Sequence, residues 1–439
     1  MIFKFATSAL SRLKTWVGKL SCTTLRVVIP TTLRAVIPTT LRAVIPTTLR
    51  AVIPTTLRAV IPTPLRVVIP TTRSVVQLRA YPKSNTGQSN RYVFLVALAT
   101  CCPCSFVFSQ ISPDGSAVQG QNVPREVREI YDRGLQWLEN NQDEKGGWTK
   151  TGGMSGGGVS GLSLMAFLAS GEDPNYGKYS DAIRKSVQSI IRDQSSTTGY
   201  LGDSMYQHGF ATLALAEAYG ALDERSLWQG ANDSQRQRSI GQALELAIRT
   251  SVTSQDKNTF GGWRYSPNAS DADTSVAGAV LMSLLAARNA GIEVPDKNID
   301  RAIKYFTSMT SSSGQVAYAG GMGGFDNSPA RVAIATLVYS ISGRRDLKEF
   351  KATSNFLKST DSNEVSDHYG EYTSYYKAQA LFQADIGAWE KWNKSLIQEL
   401  KKKQKSDGHF DGNFGPAVAT SMNLLALALN FRFLPIYER

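Results

Sequence analysis

The sequence predicts an all-α fold, an α/α toroid made as a double ring of about six helical hairpins, about twelve helices in all. Three observations predict it. A block of about 50 residues recurs six times from Pro124 onward, with corresponding points at Gln142, Gln194, Gln255, Thr310, Thr360 and Gln404, 44 to 61 residues apart. Such a period implies stacked supersecondary units that share one continuous core. Each block also pairs two unlike helical patterns. The first keeps its charges on one side, as in Ile299-Asp-Arg-Ala-Ile-Lys-Tyr-Phe306, and so meets both core and water. The second is nearly free of charge and rich in Ala, Gly and Ser, as in Thr274-Ser-Val-Ala-Gly-Ala-Val-Leu-Met-Ser-Leu-Leu285, and so is wrapped by protein on every side. Charged outer helices around apolar inner ones close naturally into a double ring.

The chain reads as three regions. Residues 1–90 are a low-complexity arm in which Thr-Thr-Leu-Arg-Ala-Val-Ile-Pro repeats, with arginine at 26, 34, 42, 50, 58 and 66 and proline at 30, 38, 46, 54, 62 and 70. A proline every eight residues forbids a helix longer than two turns, so the arm is expected to be disordered or to precede the true translation start. Residues 91–109 read as a signal peptide. Arg79, Lys83 and Arg91 supply a basic flank, residues 92–100 an apolar stretch, and Val107-Phe108-Ser109 small residues at cleavage positions. A retained membrane anchor is the alternative, but the apolar core is only about ten residues against roughly twenty needed to span. The expected location is therefore secreted, periplasmic or cell-envelope.

Residues 110–439 hold the six blocks. Block one runs Gly134-Leu-Gln-Trp137 to Gln142, then Gly-Gly-Trp148, then 161–168; block two runs 182–194, then 209–218. Block three runs 246–255, then Gly261-Gly-Trp263, then 274–285, and block four 302–306, Gly320-Gly-Met-Gly-Gly324, then 330–341. Block five has 350–357, then Tyr375-Tyr-Lys-Ala-Gln-Ala-Leu-Phe382, and block six 389–404, then 420–429.

Charge and cysteine exclude several functions. The net charge of +12 arises in residues 1–109, which hold 14 Lys and Arg and no Asp or Glu; the body carries 34 basic against 36 acidic residues. It has no electrostatic reason to seek nucleic acid. All four cysteines precede residue 105, so the body has no disulfide, thiolate metal site or catalytic cysteine. The Gly-rich runs at 152–158 and 320–324 follow no strand pattern and no Gly-Lys-Ser/Thr occurs, so a phosphate loop is unsupported. No cofactor and no metal site is expected.

The Gln…Gly-Gly-Trp blocks, Gly261-Gly-Trp-Arg-Tyr265 followed by Asp271-Ala-Asp-Thr-Ser275, Tyr375-Tyr-Lys-Ala-Gln379 and the ending Arg432-Phe-Leu-Pro-Ile-Tyr437 resemble the prenyltransferase and squalene-cyclase repeat family, in particular secreted members from planctomycete-type bacteria. The resemblance covers roughly 124–437 and implies a terpenoid-cyclase-like toroid. It implies less about chemistry. Prenyltransferases of that fold hold zinc with Asp, Cys and His, and the complement-type thioester needs a Cys; a body without cysteine assembles neither. The cyclases protonate an alkene from Asp-x-Asp-Asp-Thr-Ala. Aligned on Asp-Thr, the donor falls on Ala272 and the first Asp on Ser270, so only Asp273 and Thr274 match. Asp271 and Asp273 remain the candidate catalytic acids, with helix capping as the alternative reading.

In a toroid the inner helices run parallel, and their N-termini open on one face. The residues before them place Tyr206, His208, Asp326, His368, Glu371 and Tyr372 on that rim, with Tyr375 and Tyr376 one turn deeper, as candidate ligand-binding residues. The leading expectation is a toroid that takes an apolar or polyprenyl-type ligand in its central cavity. Two alternatives stand beside it: an envelope-side interaction scaffold without catalysis, and a carbohydrate-active enzyme of polysaccharide lyase or glycosidase type that uses the rim carboxylates.

Overall fold

The computed structural model describes residues 123–229, 238–319, 324–325, 327–359 and 369–437. The chain divides into Met1–Val107 and Phe108–Arg439, and every described residue belongs to the second unit. The repeat arm, the signal-like segment, Asp326 and His368 lie outside the described residues.

Thirteen α-helices are described, with two short 3-10 turns and no strand among the described residues. The outer helices are α1 (Arg125–Asn140), α3 (Ser180–Asp193), α6 (Ile240–Asp256), α8 (Asp296–Ser308), α10 (Lys348–Ser359) and α12 (Ile386–Lys403). The inner helices are α2 (Gly157–Leu168), α4 (Met205–Ala218), α7 (Thr274–Asn289), α9 (Pro329–Ile341), α11 (Gly370–Ala384) and α13 (Pro416–Leu427), while α5 (Glu224–Leu227) is a single turn between α4 and α6. Around the inner ring α2 packs on α4, α4 on α7, α7 on α9, α9 on α11, α11 on α13, and α13 on α2 again. Outside it α12 returns to α1. The ring is closed, and the fold is the α/α toroid that the repeat predicts.

The two helix types differ in burial as their composition dictates. Every residue of α2 is buried, whereas α8 buries Ile299, Ala302, Ile303 and Phe306 on one face and turns its charges outward. Glycine lets the inner helices approach closely. A Cβ on Gly209 of α4 would stand 2.8 Å from the backbone of Ala279 in α7, a distance no side chain tolerates.

The recurring glutamines form clamps between neighbouring outer helices. Gln142 Nε2 donates to Gly146 O and to Ala182 O of α3, and Gln194 Nε2 donates to Gly199 O and to Ala243 O of α6. Gln255 Nε2 serves Gly261 O and Asn298 O of α8, and Gln404 Nε2 serves Gly408 O and Ile130 O of α1. The last clamp joins the end of the chain's final outer helix to its first. Each clamp satisfies two carbonyls that would otherwise cost about 1–3 kcal/mol apiece where buried. The loop glycine is needed for the same contact: Gly408 has φ of 106°, and a Cβ there would lie 2.3 Å from Arg133 O. Tryptophan fills the space beneath two of these turns. Trp148 and Trp263 are buried, their indole N–H groups donating to Leu138 O and Ser251 O at 2.9 Å each.

The C-terminal segment crosses the end of the ring where the inner helices finish. Leu434 and Ile436 are buried, Ile436 N–H donates to Glu217 in the last turn of α4, and the turn Pro435–Tyr437 packs on α7. The Phe433 ring lies against Gly171 after α2, and the Arg432 guanidinium stands 5.1 Å over the Phe382 ring of α11. One end of the toroid is thereby covered.

Candidate functional site

At the opposite end the first turns of all six inner helices surround a cavity of about 540 Å³, within the ~300–1,000 Å³ of pockets that enclose one small ligand. Its walls are chiefly apolar. Tyr206 and Phe210 of α4, Tyr372 of α11 and Phe414 before α13 give aromatic faces, with Val159, Leu162, Val418 and Met422 between them, reaching about two turns below the rim. Gly158 contributes backbone, because its N–H donates to Gln207 Oε1 across the α2–α4 contact. Met154, Tyr265, Tyr318 and Tyr369 stand at the mouth, where Tyr369 stacks on Phe414 with centroids 5.7 Å apart. Among the described residues, Arg331 in the first turn of α9 is the one charged lining group; its Nε donates to Val316 O at 3.0 Å.

Asp273 lies behind this wall, two positions before the lining residue Ser275. Its backbone N–H donates to Trp263 O, and Thr274 N–H donates to Tyr318 O, which fixes the carboxyl between the loops before α7 and α9. The side chain is wholly buried; Oδ1 accepts from Val276 N–H at 3.0 Å and caps α7, while Oδ2 has no hydrogen-bond partner. Its charge acts on Tyr206, Tyr318, Arg331 and Tyr372, and is among the causes, after burial, that raise the three tyrosine hydroxyls above their ordinary value. Burial lowers Arg331, and the charge of Asp273 opposes that shift. The Tyr372 hydroxyl is buried and without a hydrogen-bond partner, although Tyr206, Ser275 and Tyr376 are its polar neighbours. Orphaned polar atoms of this kind are rare in native interiors and cost about 1–3 kcal/mol each.

The other candidate residues are distributed differently. Asp271 turns away from the lining and pairs with Arg264 at 2.6 Å in a half-exposed bridge, worth at most about 1 kcal/mol. His208 lies between α4 and α6: Nδ1 accepts from Leu201 N–H at 3.1 Å, and Nε2 faces Ala247 O and Ser251 Oγ, each at 3.1 Å. That geometry defines a neutral ring protonated on Nε2. Burial pushes it down to about 4. Glu371 packs toward Gly412 before α13, its Oε1 buried without a partner. Tyr375 and Tyr376 are buried behind the lining, 4.8 Å apart, with Tyr375 against Phe210 at 6.0 Å. His409 bridges Asp407 at 2.6 Å and Asp411 at 3.1 Å within its own loop. Among the described residues no cluster of three or more His, Cys, Asp or Glu is placed to hold a metal, and no helix is long and apolar enough to cross a membrane.

Sequence reasoning missed Arg331, Tyr265 and Tyr318. The signals were present. Arg331 is the sole charge in α9. Tyr265 and Tyr318 each stand four residues beyond a turn glycine, Gly261 at φ 85° and Gly314 at φ 89°, so they are one position of the repeat seen twice. Their hydroxyls meet at 3.0 Å over the mouth.

No protein-family model matches the sequence, and no curated protein matches it. Solved structures do. The GH76A α-1,6-mannanase of Salegentibacter sp. HEL1_6 aligns with a TM-score of 0.49 at 10% identity over 69% of this chain and 99% of its own. The family 76 mannosidase Bt3792 of Bacteroides thetaiotaomicron gives 0.46 at 12% over 68% and 97%, and the type II terpene cyclase MstE of Scytonema gives 0.45 at 14% over 71% and 100%. These likenesses assign no ligand to this chain; the toroid rests on the closed ring of helices described above.

Proposed function

We propose that this protein binds an apolar, isoprenoid-class ligand in the central cavity of its toroid. The observation that carries the reading is the cavity itself: a well open at the N-terminal face, covered at the other end of the ring, and walled by aromatic and aliphatic side chains. Among the described residues its lining contains no Asp or Glu, so the two facing carboxylates of a glycosidase are not assembled in that wall. Nor is the centre filled, as a purely structural ring would leave it. An apolar chain of isoprenoid size gains on the order of 25 cal/mol for each Å² it buries there.

Native mass spectrometry of the purified protein, with and without added geranylgeraniol, tests this. One saturable equivalent bound, and its loss in Met422→Trp, which fills the well, is the expected result. Absence of saturable binding by the wild-type protein refutes it. We propose further that the signal-like segment 91–109 directs export; N-terminal sequencing of the exported protein is expected to begin at Gln110, and retention in the cytoplasm contradicts it.

A further inference from the structure

The lining of the cavity changes character around the ring. On one arc it includes Ser204 and Gln207 at the start of α4, Ser275 at the start of α7, and Ser328 and Arg331 at the start of α9. Across the ring, α13 and α2 supply Val418, Met422 and Leu162. Depth follows the same division. The polar residues stand at helix caps and in first turns, whereas Phe210, Leu162 and Met422 lie one to two turns further in. Such a container suits a ligand with one polar end, its tail inward and its head at the rim beside α7 and α9.

The rim offers that head hydrogen-bond donors and one cation. Tyr265 and Tyr318 both line the mouth and meet hydroxyl to hydroxyl at 3.0 Å; Tyr265 is 50% exposed, so its phenol is within reach of an incoming acceptor. The Arg331 guanidinium, held through Nε by Val316 O, stands 5.7 Å from the centre of the Tyr318 ring and sets a positive charge beside the pair. Neither nearby aspartate is a lining residue: Asp273 is wholly buried behind the wall, and Asp271 is bound to Arg264. The wall thus has its cation on the cavity side and its carboxylate behind. Donors and a single positive charge complement an oxyanion of single charge, and a carboxylate both accepts from a phenol and is attracted by a guanidinium. A diphosphate brings more negative charge than one lining cation balances. An ammonium head meets like charge.

We propose that the ligand is an isoprenoid-class carboxylic acid bound as its anion, the carboxylate at the Tyr265–Tyr318 pair beside Arg331 and the chain running inward along α13 and α2. This rests on the cavity reading above and adds the head group and the direction of the chain.

Titration of the full chain near neutral pH with four C20 probes tests it: geranylgeraniol, the corresponding carboxylic acid, the diphosphate, and the hydrocarbon without oxygen. The acid is expected to bind on the order of tenfold more tightly than each of the others. Arg331→Gln keeps a polar side chain but removes the charge, and should bring the acid to the level of the alcohol. Tyr265→Phe removes only a hydroxyl at a half-exposed position, so it reads the head-group contact without disturbing the core. It should weaken the acid more than the hydrocarbon. Equal affinities of acid, alcohol and hydrocarbon overturn the head-group inference and leave the cavity reading standing, as does a preference for the diphosphate. An acid preference that survives in folded Arg331→Gln or in Tyr265→Phe overturns it equally. Failure of all four probes to bind overturns both.

Discussion

Acidification isolates His208. The ring is fully buried, accepts a hydrogen bond at Nδ1 and donates from Nε2. Adding a proton to Nδ1 destroys the bond from Leu201 and places a charge in the contact between α4 and α6. Burial therefore holds the native pKa at about 4, against 6.5 for the free side chain. The unfolded chain takes up this proton near 6.5 and the native protein only near 4, so between these values unfolding is accompanied by proton uptake. Stability from the neutral ring is complete above 6.5 and is lost as pH falls toward 4. At about 1.4 kcal/mol per pH unit the loss is on the order of 3 kcal/mol. Urea denaturation at several pH values between 7.5 and 4, for wild type and for His208→Gln, measures it. The variant is less stable near neutrality by about 1–3 kcal/mol because the Leu201 and Ala247 backbone groups lose their partner. The gap between the two proteins should then close as the pH falls. Parallel stability curves would refute the reasoning, as would loss of ligand affinity in the variant at neutral pH without loss of stability.

Two further predictions concern how the ring is closed. Gln404→Ala removes the clamp between α12 and α1, orphans Ile130 O and Gly408 O, and should lower stability by about 2 kcal/mol in denaturant; Lys403→Ala beside it, an exposed position, should change it by less than about 0.5 kcal/mol. Ending the chain after Phe433 deletes two buried aliphatic side chains, Leu434 and Ile436. That should cost about 3–5 kcal/mol and expose the covered end of the ring, read as increased binding of a dye specific for apolar surface; unchanged thermal unfolding and dye binding would contradict a closing role for the tail.

Much of the architecture was legible because a repeat states its own packing. Composition separated inner from outer helices: a segment such as Thr274–Asn289, with one charge in its last turn, has no polar face to offer water. The recurring glutamine and Gly-Gly-Trp marked the turn, and the structure supplies the reason, since one side chain must reach two carbonyls on different helices. The rim was legible only in part. Helix order placed Tyr206 and Tyr372 at the N-terminal face, where they line the cavity. It could not say which way a residue turns within a turn of helix, and His208, two positions beyond Tyr206, points about 200° around α4 into the outer layer. Asp271 and Asp273 are separated in the same way, one bound to Arg264 outside and the other buried behind the cavity lining. Arg331 was hidden for another reason: a single arginine in an apolar helix gains meaning only once the ring brings α9 beside α7.

The central claim, that the toroid is a container for an apolar ligand, is tested most directly by photo-crosslinking. The protein is irradiated with a geranylgeraniol analogue carrying a diazirine along its chain, and the labelled peptides are mapped by mass spectrometry. Label confined to the first two turns of the inner helices, including the peptides that carry Phe210, Tyr372 and Val418, is the predicted result. Label spread over the outer helices, or unaffected by excess unlabelled alcohol, would contradict it.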